Sequence, residues 1–179
     1  MQPLEVINAA FERTGLKRRS RRVKKLERLV EWFLSTPDGL TAECGTWLGT
    51  SAYVLSSFGA RLHCFDSFQG FADGTIKKYR IDVEQTRKNL DGLDVTLHQG
   101  WIPDVFQEAP EGPYRFVHLD VDQYEPTREA IEFFRPRLAS GGMIVCDDYN
   151  SRWTEHAVKA VDEAGGFEVV DEQAIYAHH

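Results

Sequence analysis

Leu40-Thr41-Ala42-Glu43-Cys44-Gly45-Thr46-Trp47-Leu48-Gly49-Thr50-Ser51 holds the change of pattern on which the fold turns. Upstream, apolar residues recur at helical spacing. Within the stretch, a short apolar run, Leu40–Cys44, gives way to a loop carrying Gly45 and Gly49, and a helix is expected over about Ser51–Phe58. A strand, a glycine-bearing loop and then a helix is the repeating unit of an alternating α/β fold.

Downstream the alternation continues. Arg61–Phe65 reads as a second strand, Val83–Leu90 as a helix and Val95–His98 as a third strand. Arg115–Leu119 reads as a fourth strand and about Pro126–Leu138 as a helix. Met143–Cys146 reads as a fifth strand after a turn at Gly141-Gly142, followed by a helix over about Thr154–Ala164. Phe167–Val170 and Ala174–Ala177 lie too close together for a crossover helix and read as an antiparallel hairpin. The alternation predicts an α/β fold with a mostly parallel sheet covered by helices on both faces.

Upstream, residues 4–14 and 20–35 read as two helices, the second stopped by Pro37-Asp38-Gly39. Val23, Leu26, Val30 and Phe33 give that helix one apolar face. The basic block Lys17, Arg18, Arg19, Arg21, Arg22, Lys24 and Lys25 reads first as a solvated face, and alternatively as a contact for an anionic substrate or nucleic acid. The 179 residues fit one domain with a real core, and the net charge of −7 disfavours general nucleic-acid binding. No apolar run is long enough to cross a bilayer, and no secretory leader is read at the N-terminus. The cysteines, Cys44, Cys64 and Cys146, are sparse and odd in number, which argues for a reducing compartment, the cytoplasm by default.

In sheets of this kind ligands bind beyond the carboxyl ends of the strands, and these ends are polar here. The first loop lets a ligand approach the backbone at Gly45 and Gly49, although its spacing is neither G-x-G-x-x-G nor that of a P-loop. Asp66 ends the second strand, where a carboxylate suits two ribose hydroxyls, or else caps a turn. Together these suggest a nucleoside-type cofactor. The absence of a phosphate-gripping pattern favours S-adenosylmethionine over NAD. Asp120, Asp122, Asp147 and Asp148 end the fourth and fifth strands. Carboxylates gathered there repel one another unless a hard cation such as Mg²⁺ joins them, the alternative being caps and salt bridges.

Five ordered motifs then carry a family resemblance: Glu43–Ser51, Asp66-Ser67-Phe68-Gln69-Gly70, Gly100-Trp101-Ile102-Pro103-Asp104, Leu119–Thr127 and Gly141–Tyr149. The stretch Ala42–Tyr149 resembles the macrocin O-methyltransferase (TylF-type) family, a metal-dependent branch of the class I methyltransferases. The resemblance implies a Rossmann-like class I methyltransferase fold with seven strands. It implies that Glu43, Gly45 and Ser51 surround the methionine part of S-adenosylmethionine, that Asp66, with Ser67 beside it, holds the ribose, and that Gly100 and Trp101 lie near the adenine. It implies Mg²⁺ on Asp120, Asp147 and Asp148, and methylation of sugar hydroxyls on natural products. It makes residues 39–179 the methyltransferase domain and residues 1–38 a helical lid or oligomerisation segment. Two departures stand out. The chain is shorter than typical members, which implies a reduced lid or one built from the N-terminal helices. Gln123 stands where related catechol-type enzymes carry a lysine base.

Methyl transfer needs alignment of oxygen, carbon and sulfur and a more nucleophilic oxygen. Asp120 is the expected catalytic base, with pure metal ligation as its alternative; Asp122 and His118 are further candidates. Strand alternation turns His118 toward the sheet or a helix. Phe68–Arg80 reads as a loop over the site. The expected partner is a small hydroxylated molecule rather than a membrane or nucleic acid, and a homodimer is expected through the apolar face of the N-terminal helices. The alternatives are a methyltransferase acting on nucleic acid and a silent cofactor-binding module.

Overall fold

The computed structural model describes residues 2–71, 74, 77–147, 149 and 155–178. Among them, helices α1 (Pro3–Thr14) and α2 (Ser20–Ser35) precede an alternation of β1 (Leu40–Cys44), α3 (Thr50–Ser57), β2 (Leu62–Asp66), α4 (Val83–Asn89) and β3 (Val95–Gln99). Then come β4 (Tyr114–Leu119), α5 (Tyr124–Phe134), β5 (Leu138–Cys146), α6 (Glu155–Ala164), β6 (Glu168–Val170) and β7 (Gln173–Ala177). The seven strands form one sheet in the order β3-β2-β1-β4-β5-β7-β6. The first five are parallel, and β7 runs antiparallel between β5 and β6. This is the mostly parallel sheet with a C-terminal hairpin that the alternation predicts. Because β1 is flanked by β2 on one side and β4 on the other, the loops leaving β1 and β4 diverge and open a crevice at their carboxyl ends.

Both faces are covered. On one, Leu62 and Cys64 of β2, Phe116 of β4 and Val145 of β5 pack beneath residues of α1, α2 and α3. On the other, Ala42, Cys44, Phe65, Val117, Leu119 and Ile144 pack against Ala130, Ile131 and Phe134 of α5 and Val161 of α6. The alternation along each strand therefore sends side chains into two separate cores. The apolar faces of α1 and α2, the ground for expecting a homodimer, are covered within the chain: Ile7, Ala10, Leu29, Val30 and Phe33 are at most 1% exposed. Arg115 at the start of β4 ties down the end of α2, donating to the carbonyls of Phe33 and Thr36 (2.9 and 2.8 Å) and lying over the Phe33 ring.

Two boundaries differ from expectation by more than two residues. Helix α5 ends at Phe134, because Pro136 lacks the N–H that would continue it and the chain tightens into a 3₁₀ turn over Arg135–Arg137. Strand β5 begins at Leu138, so the expected turn at Gly141-Gly142 lies inside the strand. Gly141 has φ +77°, and the β4–β5 register shifts between Tyr114 and Phe116, so the glycine pair makes a local irregularity instead of a chain reversal. The segment stays paired through Gly141 N–H to the His178 carbonyl (2.7 Å) and His178 N–H to the Gly142 carbonyl (2.9 Å).

Candidate active site

The crevice opens into a cavity of about 450 Å³. The strand-end loops form its floor, and α1 and α2 close it from above through Phe11, Arg22, Lys25, Leu26 and Leu29. The cavity brings together Gly45, Ser51, Asp66, Ser67, Gly100, Trp101, Asp120 and Asp147 from the expected site set. Asp122, Gln123 and His118 line it as well. Glu43 does not, and Asp148 lies outside the described residues.

The first loop is shaped by a close approach. Gly45 has φ +88°, and a side-chain carbon there would stand 2.0 Å from the Asp120 carbonyl oxygen. Neighbouring backbone bonds fix this contact: Gly45 N–H donates to the Phe65 carbonyl (3.0 Å) and Asp120 N–H to the Cys44 carbonyl (2.8 Å). The loop is also tied to α4. The Thr86 hydroxyl donates to the Trp47 carbonyl at 2.5 Å and the Asn89 amide to the Leu48 carbonyl at 2.9 Å. Thr86 and Asn89 escaped the sequence reading. Their signal was a threonine and an asparagine three apart on a short helix, both buried in the structure.

Asp66 anchors the turn at the carboxyl end of β2. Its Oδ2 accepts the Trp47 N–H (2.8 Å) and its Oδ1 the Phe68 N–H (2.7 Å). An ionised carboxylate has about four acceptor sites, more than these backbone N–H groups and that of Thr46 fill, so capacity remains for a ligand hydroxyl. Burial pushes its carboxyl above the ordinary value of 3.8, outweighing the backbone N–H bonds that pull it down. Ser67 makes the next turn, its hydroxyl accepting the Gln69 N–H at 3.1 Å, and Gly100 N–H donates to the Asp66 carbonyl at 3.0 Å. Trp101 is 38% exposed, an aromatic face at the cavity rim. From the segment 68–80, Phe71 and Tyr79 reach the lining and stack on each other with ring centres 5.9 Å apart.

Glu43 stands behind this wall. It is fully buried, and its Oε1 lies 3.0 Å from Nδ1 of His118, its neighbour on the adjacent strand. The pair shares the α2 and α3 face of the sheet, in line with the inward orientation expected for His118; the histidine also borders the cavity.

At the acidic end, Asp120 and Asp122 leave β4 and Asp147 leaves β5. Asp122 has φ +59°, a left-handed turn that carries the chain from β4 toward α5. Asp147 is held from two sides: the Lys25 ammonium stands 3.0 Å from Oδ2, and the Gln173 amide donates to Oδ1 at 2.8 Å. Gln173 in turn accepts from Arg28 Nε at 3.2 Å, and Arg28 also pairs with Asp171. Arg21 pairs with Glu172. Arg21, Lys25 and Arg28 of α2 are thus paired with Asp147 beyond β5 and with Asp171 and Glu172 in the β6–β7 turn, and Lys25 is only 7% exposed instead of solvated. The sequence held a sign of this: Lys25, Leu29 and Phe33 follow one another at intervals of four along the buried stripe.

The donor chemistry of this end suits Mg²⁺, which takes hard carboxylate oxygens together with water and substrate. Asp120 and Asp147 both line the same cavity. Among the described residues no three acidic, histidine or cysteine side chains stand together as a metal site. The third expected ligand, Asp148, is outside them.

The sequence pattern of the family described as a methyltransferase domain matches residues 42–149, over half of the chain. A curated relative, the 8-demethyl-8-(2,3-dimethoxy-alpha-L-rhamnosyl)-tetracenomycin-C 4'-O-methyltransferase of Streptomyces olivaceus, is 31% identical over 172 residues, covering 79% of this chain and 64% of that protein. The chain therefore spans just under two thirds of that relative's length. Among solved structures, the O-methyltransferase NovP superposes with a TM-score of 0.72 at 22% identity, covering 87% of this chain and 80% of that one. The calicheamicin methyltransferase CalS11 superposes with a TM-score of 0.74 at 16% identity, covering 97% of this chain and 91% of that one. At such identities the two structures establish the fold, a Rossmann-like class I methyltransferase sheet. The matched family segment runs from β1 to the end of β5 and contains every strand-end loop of the cavity described above, and on that ground the chain belongs to the methyltransferase domain family.

Proposed function

We propose that the chain is an S-adenosylmethionine-dependent O-methyltransferase of the macrocin (TylF) type that methylates a hydroxyl on a small, sugar-bearing molecule with the help of Mg²⁺. One observation carries this reading: a single cavity joins a nucleoside-suited end, built from Gly45, Ser51, Asp66, Ser67, Gly100 and Trp101, to an acidic end built from Asp120 and Asp147. The rhamnosyl group in the name of the Streptomyces olivaceus relative supports a sugar hydroxyl as the acceptor.

In this reading Asp66 accepts the two ribose hydroxyls, and the backbone around Gly45 passes close to the methionine portion. Glu43 acts from behind the wall by holding His118. Trp101 covers the adenine. Asp120 receives the acceptor's proton at its carboxylate, and Asp122, two residues on, lines the same cavity. Asp120, Asp147 and Asp148 would hold Mg²⁺, which when bound lowers the pKa of a coordinated hydroxyl. Helices α1 and α2 cover the acceptor end, exclude water and orient the hydroxyl. The pairing of Arg21, Lys25 and Arg28 within the chain disfavours the nucleic-acid alternative, which needs clustered positive charge free for phosphates. The three buried, free cysteines support a reducing compartment such as the cytoplasm.

The test is calorimetric titration of S-adenosylmethionine into the wild type and Asp66→Ala, followed by transfer of a labelled methyl group to a panel of rhamnosides with and without Mg²⁺. Binding that collapses in the variant, with Mg²⁺-dependent labelling of a sugar hydroxyl, is the expected result. Absence of cofactor binding by the folded wild type would overturn it.

A further inference from the structure

The buried contact between α2 and the acidic end of the cavity does more than pack the fold. We propose that Lys25 is the resident cation of that end: its ammonium neutralises Asp147 until a divalent cation displaces it. The inference rests on the Mg²⁺ reading above and adds a competitor from the chain itself.

The geometry is specific. Gln173 fixes Oδ1 of Asp147 at 2.8 Å, and the Asp147 N–H donates to the Leu119 carbonyl at 2.8 Å, so the carboxylate has a set orientation. Its other oxygen, Oδ2, faces the Lys25 ammonium at 3.0 Å. Both side chains are largely shielded from water, with Lys25 at 9% and Asp147 at 15% side-chain exposure, so the attraction between them is weakly screened. A divalent cation on Oδ2 would stand within a few ångströms of the ammonium, and two positive charges so close in a poorly solvated site repel strongly. One of them must leave. Lysine's four-carbon stem lets the ammonium swing away while Leu29 and Phe33 keep α2 seated in the core. Because Lys25 also lines the cavity beside Arg22 and Leu26, its withdrawal changes the wall that faces the acceptor. Metal loading and the shape of the acceptor end are then coupled, and the coupling acts in both directions.

Two measurements test this. Mn²⁺ serves as the probe, its affinity read by calorimetry or by the loss of its free electron-spin signal, for the wild type and Lys25→Met. The expected result is binding about tenfold tighter in the variant, since the competitor is gone. Equal or weaker binding in the variant overturns the proposal while the metal reading stands. No Mn²⁺ binding by either protein overturns the metal reading and the proposal with it. The second measurement needs no variant and so survives a folding defect in Lys25→Met. Wild type is acetylated with N-hydroxysuccinimidyl acetate with and without Mg²⁺, and labelling at Lys25 is read by mass spectrometry. Labelling that rises with Mg²⁺ is expected; unchanged or reduced labelling overturns the proposal.

Discussion

Glu43 and His118 sit side by side on β1 and β4, with Oε1 of the one 3.0 Å from Nδ1 of the other, and neither is more than 3% exposed. A buried pair of this kind is costly to break from one side, because the remaining partner keeps its desolvation cost. Glu43→Leu and His118→Leu should each lower unfolding stability by about 3 kcal/mol, and the double variant by clearly less than the sum. Urea unfolding of the four proteins reads the cycle. Additive losses would show that the two side chains act independently.

Gly45→Ala should damage the cofactor end and leave the rest of the fold in place. The added carbon meets the Asp120 carbonyl oxygen at 2.0 Å, and backbone atoms on both sides are fixed by strand-end hydrogen bonds, so the loop has to shift. Affinity for S-adenosylhomocysteine should fall by about tenfold or more, in keeping with the cost of forcing a left-handed glycine position and displacing a ligand-facing backbone. Calorimetry on a variant whose circular dichroism matches the wild type makes the measurement; an unchanged dissociation constant would contradict this account of the loop.

Cofactor affinity should depend on pH through Asp66. Burial raises its carboxyl above the ordinary 3.8, so protonation begins at milder acidity than for an exposed aspartate. The ionised form is the better acceptor for ribose hydroxyls, so binding should weaken as pH falls through the raised pKa and be constant well above it. The same shift carries a stability sign: an acid with a raised folded-state pKa lowers stability as pH rises from its unfolded to its folded value. S-adenosylhomocysteine titrations between pH 4.5 and 7.5 should show the acid loss in the wild type and a flat, weaker profile in Asp66→Asn.

At the β2–β3 edge, His63 Nδ1 lies 3.0 Å from His98 Nε2, and His98 Nδ1 lies 3.2 Å from the Glu108 carboxylate. Burial and the neighbouring His98 hold the His63 pKa below its ordinary 6.5. A histidine with a lowered folded-state pKa contributes stability that is present above the unfolded value and lost as pH falls through the window below it. Wild type should therefore lose more stability than His63→Phe between pH 7.5 and 5.5. Parallel losses in urea unfolding at the two pH values would exclude His63 as the source.

The anchors on α4 give a last test. Thr86→Val removes the hydroxyl that holds the Trp47 carbonyl, and Asn89→Leu removes the amide that holds the Leu48 carbonyl. Each leaves a loop carbonyl without its partner, at a cost of about 1–3 kcal/mol. The loss should appear both in thermal unfolding and as weaker S-adenosylhomocysteine binding. A variant that loses stability with the cofactor affinity intact would separate the anchor from the site.

The strands were legible because each is a short apolar run closed by a turn signal, and the short gap between Val170 and Ala174 left no room for a crossover helix. The cavity-lining acids were legible because they follow strand ends, where such sheets place ligands. Gly141 misled because a glycine pair reads as a turn in sequence, while the pairing with residue 178 that keeps it in the strand is nonlocal. Glu43 was named through the family resemblance; that its side chain pairs with His118 depends on register across the sheet, which no local pattern shows. Lys25 was hidden by its neighbours: six other basic residues in the same block made a solvated face the natural reading, and its true partner lies 122 positions away.

The placement of β7 between β5 and β6 has a consequence for how the molecule is made. During synthesis β6 emerges first but has no neighbour in the sheet until β7 is available to bridge it to β5. Gln173, which steadies Asp147, arrives on that same late strand. Until then the acidic end of the cavity has Lys25 but lacks Gln173, so a nascent chain forms the loops beyond β1 to β4 early and completes the acidic end last.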